Sequence, residues 1–190
     1  MTTTQPMVVT VTPATILRRA LAALAGALLV ALSAQAAVPL PGTAVPITLQ
    51  VPAVLIVGIV LGPRLGALSM VVYLALGVAG LPVFAPAGAP GLARLIGPTG
   101  GYLLAFPLAA SLVGQLAGDG RHRLRLAAGL VAGLVAIHAG GIAQLAVVTG
   151  GDLSAAARLG SLPFLVGDVI KLAVALLLVR RFAPAIRARL

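Results

Sequence analysis

The sequence predicts an all-α, polytopic membrane protein built as a single domain, and three observations carry that expectation. The chain of 190 residues is 61% hydrophobic and only 8% charged, where a soluble domain has about 25% charged residues. Its mean hydropathy is +1.17, so it cannot coat itself for water. The apolar residues come in runs long enough to span a bilayer, which takes about 20 residues with a range of about 17–25. Finally, the arginines collect at the ends of those runs. The 23 glycines and 14 prolines fall within and between apolar runs, where small residues let helices approach. The net charge of +10 is distributed as a topology signal and does not point to nucleic acid.

Six spans follow in order, roughly Ile16–Ala37, Ile47–Leu61, Leu65–Gly80, Gly101–Ala117, Leu126–Val148 and Leu162–Val179. Ahead of them lies a polar head, "MTTTQPMVVTVTPATI", read as a flexible N-terminus over 1–14. The membrane domain covers 15–183, and 184–190 is a basic tail. The first run is too long for the core of a signal peptide. The second is short and carries Pro52, which predicts a kink, a tilt or shielding by neighbours.

An even number of spans puts both termini on one side, and the basic residues say which. Arg18 and Arg19 sit at the start of the first span, and Arg64 between the second and third. Arg121, Arg123 and Arg125 lie between the fourth and fifth, and Arg180, Arg181, Arg187 and Arg189 at the end. The opposite loops hold only Arg94 and Arg158. The positive-inside rule then predicts cytoplasmic N- and C-termini.

Two outer loops stand out, "VPLPGTAVP" (38–46) and "LPVFAPAGAPGLARLIGPTGG" (81–101). Long loops in compact proteins are often lids or binding loops. The stretches "LGPRLGALS" (61–69) and "IGPTGGYLL" (96–104) are similar to one another. Each is read as placing proline just inside a helix start, where its missing N–H does no harm. They are either a duplicated unit or two independent starts.

The sixth span carries Asp168 and Lys171, three apart and so on one helix face. At 1.5 Å per residue from Arg180, Lys171 lies roughly 13 Å and Asp168 roughly 18 Å above the inner boundary, near or just outside the midplane. A charge at that depth costs about 2.5–3.5 kcal/mol on insertion scales, so the pair should face the interior or a polar cavity. It is then either a structural ion pair or a ligand site, with Asp168 accepting N–H groups and Lys171 meeting an anion. Arg94, in the long outer loop, is a candidate for a carboxylate, against the alternative of a solvated loop arginine. His138 lies within the fifth span before Gly140 and Gly141, in place for an interhelical hydrogen bond or a ligand or proton role. Gln50, Gln144 and Tyr102 are polar groups in or near spans, and Phe84 and Tyr102 flank the long loop as possible aromatic walls.

Several chemistries are excluded or disfavoured. The chain has no cysteine, hence no disulfide, Cys-zinc site or thiol catalysis. Lys171 is its only lysine and stands in no phosphate loop. There is no glutamate for H-E-x-x-H chemistry, and no G-x-S-x-G. The residues therefore argue against an enzyme and against a resident metal. The first span has small residues at spacing four, Ala22/Gly26, Ala23/Ala27 and Ala27/Ala31, suited either to packing within the bundle or to docking another membrane subunit.

Three segments in sequence, "VPITLQVPAVLIVGIVLGPRLGALSMVVYLALGVAGLPVFA", "GPTGGYLLAF" and "LPFLVGDVIKLAVALLL", closely resemble the BioY family, the biotin-binding S-components of energy-coupling factor (ECF) vitamin transporters. The resemblance runs from about Ala27 to Leu178. It implies a six-helix S-component fold in a bacterial plasma membrane. It also implies capture of biotin from outside, in a pocket closed by the loops after the first and third spans. No cofactor is implied. ATP would be bound only by two cytoplasmic ATPase subunits, coupled through a transmembrane T-subunit that meets small residues of the first helix, here Ala23, Ala27 and Ala31. Asp168, Lys171 and Arg94 carry over as substrate-binding residues, to which the residue reading adds Phe84, Tyr102 and Gln50. One departure is "LPVFAPAGAP", which lacks the family's polar side chain; backbone groups of Gly88 or Gly91 would have to replace it. The alternatives are an S-component for another vitamin, such as thiamine or riboflavin, or a stand-alone proton-coupled transporter.

Overall fold

The computed structural model describes residues 12–118 and 122–187, with side chains as far as Arg181. Arg121, Arg189, residues 1–11 of the expected head and 188–190 of the expected tail lie outside the described residues.

Helix α1 (Pro13–Gln35) begins inside the stretch expected to be loose. Thr12 caps it, accepting from the Thr15 N–H, and proline takes the first helical position, where a missing N–H costs nothing. Its buried stripe is Ala23, Gly26, Ala27, Val30, Ala31 and Ala34. This stripe packs on the next helix: a Cβ on Gly26 would stand 2.6 Å from Ser69 Oγ and 2.9 Å from Val57. This stripe includes Ala23, Ala27 and Ala31, the residues expected to dock a partner subunit. They are 2%, 0% and 7% exposed, because small side chains are what lets two helices of this same chain close up. The outward face of α1 carries Leu17, Leu21, Leu24, Leu28 and Leu32.

A short antiparallel ribbon, β1 (Ala37–Val38) with β2 (Ile47–Thr48), ties off the first outer loop. Helix α2 (Gln50–Val78) then runs through the expected second and third spans, but it is broken. Gly62 has φ 79° and ψ 176° and precedes Pro63, a conformation glycine alone adopts readily. The chain doubles back there. The Gln50 side-chain N–H donates to the Tyr73 hydroxyl at 2.7 Å, although 23 residues of straight helix would separate them by roughly 35 Å. The bend is thus at Gly62–Pro63. Pro52 sits in the first turn of α2, where proline is tolerated.

Helix α3 (Leu92–Ile96) lies within the long outer loop, followed by α4 (Gly100–Leu116), α5 (Arg123–Val148), α6 (Leu153–Gly160) and α7 (Leu165–Arg187). Pro98 precedes α4 and is not inside it. Helix α6 starts on Asp152, whose carboxylate accepts from the Ala155 N–H at 2.9 Å. It meets α7 at a 52° bend, with Pro163 in the turn.

Helices α1, α2 and α5 are each long and apolar enough to cross a membrane, the α6–α7 pair passes as one bent span, and α4 is a shorter apolar helix. Helix α2 is the hub: α1, α4 and α7 pack on it, and α5 packs on α4. The core joins Val54, Leu55, Ile59, Met70, Phe106, Val113 and Leu130. The outside is apolar too, with Leu32, Val135, Val166, Val169 and Leu177 exposed, as suits acyl chains and not water.

Candidate functional site

Helices α2, α3, α4, α5 and α7 bring Gln50, Arg94, Tyr102, His138 and Asp168 to one cavity. Asp168 falls in the first turn of α7, where the unpaired N–H groups of the helix start favour a negative charge. It is only 2% exposed. One of its oxygens, Oδ1, accepts from Lys171 Nζ at 3.2 Å, and Oδ2 meets His138 Nε2 of α5 at 2.9 Å. The two charges expected on one face are thus paired, and they face inward. A narrow cavity lies beside them, about 70 Å³ in volume, smaller than the ~300–1,000 Å³ typical of small-molecule sites.

Asp168, Lys171, Arg94, Phe84, Tyr102 and Gln50 all line this one cavity. Their side chains are not equally free. The Gln50 carbonyl accepts from Thr48 Oγ1 at 3.2 Å while its N–H goes to Tyr73, so its amide sets the wall. The Tyr102 hydroxyl donates to the Gly160 carbonyl at 2.6 Å, which leaves its ring to the cavity. Phe84 stands edge-on to Tyr73, centroids 5.5 Å apart, and Tyr73 stacks on Phe106 at 6.3 Å. Such aromatic packing makes a stiff apolar surface.

Arg94 is not a solvated loop arginine: it is 6% exposed. Its two terminal nitrogens donate to the carbonyls of Ala85 and Ala87, which gather the 81–97 loop around the guanidinium. Its Nε–H is buried without a partner, and among the described residues no carboxylate pairs with it. Burial lowers its pKa, and the Tyr73 hydroxyl opposes that shift. An arginine stays charged regardless, so this is a buried cation with donors to spare. Helix α3 is held from below by Gln144, whose N–H groups reach the Leu95 and Gly97 carbonyls at 2.7 Å each. From the side, Gln35 of α1 donates to the carbonyls of Pro82 and Phe84, each at 3.3 Å.

Gly88 closes this loop over Arg94 with φ +113°, and a Cβ there would collide with the guanidinium. Gly88→Ala is expected to push Arg94 out of place and to lower ligand affinity about tenfold or more, since a hydrogen bond to a charged group is worth ~1.5–3 kcal/mol. A binding titration checks this, with Gly80→Ala as control: Gly80 also has a positive φ (+91°) but open space around it.

The sequence reading did not place His138 in the binding set, nor single out Tyr73, Phe106 or Phe164. His138 was visible as an ionisable group in a span, but its pairing with a residue 30 positions away depends on how α5 and α7 are set against each other. Among the loops, α3 and α6 were unforeseen. For α6 the cap signal, Asp152 before "LSAA", was present.

The sequence profile of the BioY family matches residues 3–188. A probable biotin transporter BioY of Pyrococcus horikoshii is 44% identical over 137 residues, 72% of this chain and 80% of that one. A biotin transporter BioY of Thermotoga maritima is 41% identical over 144 residues, covering 76% and 84%. One from Rhizobium etli is 38% identical over 169 residues, covering 84% and 89%. Among solved structures, the S-component for biotin from an ECF-type ABC transporter superposes with a TM-score of 0.80 at 24% identity, over 90% of this chain and 94% of that chain. The all-α S-component fold expected from the sequence is the fold observed, and the chain belongs to the BioY family.

Proposed function

We propose that this protein binds biotin and serves as the substrate-binding component of an ECF-type transporter. The observation that carries this reading is the charge count of the cavity. Its lining has one carboxylate, Asp168, and two fixed cations, Lys171 and Arg94, which leaves one positive charge in excess. The rest of the wall is largely apolar. The site therefore suits a small apolar molecule with one negative charge and a polar group at the other end. Biotin has a carboxylate, an apolar bicycle and tail, and a ureido group with two N–H donors and a carbonyl. Asp168 accepts from a ureido N–H, Lys171 leaves Asp168 for the ureido carbonyl, and Arg94 takes the carboxylate through Nε–H and a spare terminal N–H. Phe84, Tyr102 and Phe106 flank the ring and tail. Cationic thiamine meets the wrong sign here, and riboflavin brings no carboxylate for Arg94.

In this reading α1, the two arms of α2, α4, α5 and α7 make six crossings with cytoplasmic termini. The chain is not an enzyme and carries no cofactor. A T-subunit and ATPase subunits supply the energy, and ATP binds only to the latter. The purified chain, stripped of ligand, should bind biotin far more tightly than thiamine or riboflavin in parallel titrations. Vesicle uptake with and without the ATPase module then measures dependence on the partners. Absence of biotin binding by folded protein would overturn the reading.

A further inference from the structure

We infer that His138 is a positioning residue for ligand recognition: through Nε2 it holds Asp168 bonded and aimed into the cavity once Lys171 turns from Asp168 to the ligand. The inference rests on the biotin reading above.

The two oxygens of Asp168 are held by two different helices. Lys171 is on Asp168's own helix and is its i, i+3 neighbour, with a side chain that is 16% exposed. It hangs on a four-carbon stem with freely turning donors, so it can be re-partnered. His138 comes from α5 on a short side chain with only two torsions. The Tyr102 ring stands nearly perpendicular to it, centroids 6.3 Å apart at 79°. Tyr102 is itself fixed by its bond to the Gly160 carbonyl, and its ring lies where a Cβ on Gly141 would be. The chain Gly141, Tyr102, His138, Asp168 is thus packed in series, and it does not involve the lysine.

The protonation pattern follows. An ionised carboxylate only accepts, so Nε2 carries the proton that faces Oδ2. His138 Nδ1 is buried with no partner, so Nε2 alone carries the polar function of this side chain. If Lys171 moved to a ligand carbonyl with no histidine present, a carboxylate 2% exposed would keep only the ligand as partner. Burying a charge so thinly bonded is costly. With His138 in place, Oδ2 stays bonded and Oδ1 is released to accept a ligand N–H.

The test follows from which nitrogen matters. The amide N–H of glutamine reaches about as far as Nε2, and that of asparagine only about as far as Nδ1. His138→Leu and His138→Asn are both expected to weaken biotin binding on the order of ten- to a hundredfold, the worth of a hydrogen bond to a charged group. His138→Gln is expected to restore most of the loss. In an Asp168→Asn background, His138→Leu should change affinity less than about twofold, because its effect passes through the carboxylate. Equal affinity of the leucine variant and the unaltered protein would overturn the inference, as would an undiminished loss in the Asp168→Asn background. Should the leucine variant fail to fold, the glutamine and asparagine variants carry the comparison. The biotin reading fails separately, if Asp168→Asn with His138 intact binds biotin as tightly as the unaltered protein.

Discussion

Asp168→Asn is expected to cost about a hundredfold or more in biotin affinity while the protein still inserts and folds. The substitution keeps the shape of the side chain, and an asparagine oxygen can still accept one of the present donors, Lys171 Nζ or His138 Nε2. It removes the negative charge. A charge-assisted bond to a ligand N–H then becomes a neutral one of about half the strength. Lys171 also loses its counter-charge, and the cavity's excess positive charge grows. Breaking a buried pair by removing one partner costs ~3–5 kcal/mol when both are sealed off. Here the lysine keeps some access to the cavity, so the loss should fall more on binding than on folding. Titration with labelled biotin, beside a thermal melt of the same sample, separates the two. Unchanged affinity would remove Asp168 from the site.

Gly58→Ala should produce a large loss of stability for a single added methyl group. Its Cβ would run into the carbonyl oxygen of Ala110 and stand 2.8 Å from the Ala110 Cα. Both are backbone atoms of α4, so relief needs two helices to move apart, and overpacking of this kind costs ~1–3 kcal/mol or more. Gly101→Ala, against the Gly140 carbonyl between α4 and α5, should behave alike. Gly26→Ala meets first the side chain of Ser69 at 2.6 Å, which has some freedom to turn, and should cost less. Gly167→Ala meets nothing within 4 Å; in a helix, alanine gains ~0.5–1 kcal/mol over glycine, so this variant should melt at the same temperature or higher. Thermal shift in detergent ranks the series, and a Gly58→Ala protein as stable as Gly167→Ala would contradict the close crossing of α2 and α4.

The membrane class and the acid–lysine pair were legible because they depend on composition and on spacing within one helix. A charge in an apolar span must face inward whatever the neighbouring helices are. What required the structure were relations between segments distant in the chain. The Ala23–Ala27–Ala31 stripe was visible, but not which helix it meets, since small residues serve a partner chain and the chain's own α2 equally well. Arg94 was noticed as a loop cation, but its burial depends on the carbonyls of Ala85 and Ala87 curling round it, and no side-chain pattern encodes that. The second and third runs were expected as separate spans, with a kink, a tilt or shielding at Pro52; the break in α2 lies between the two runs and not at that proline. Gly62, with its positive φ, makes the turn.

The cavity lining has consequences for how membrane voltage acts on the protein. In the proposed reading, Asp168, Lys171 and Arg94 give the chamber one elementary charge, which a monoanionic guest cancels. Voltage does ~2.3 kcal/mol of work per elementary charge moved through 100 mV. Any motion that carries the chamber across the field is therefore electrically silent when loaded, and it is driven or opposed by the membrane potential only on the vacant half of the cycle.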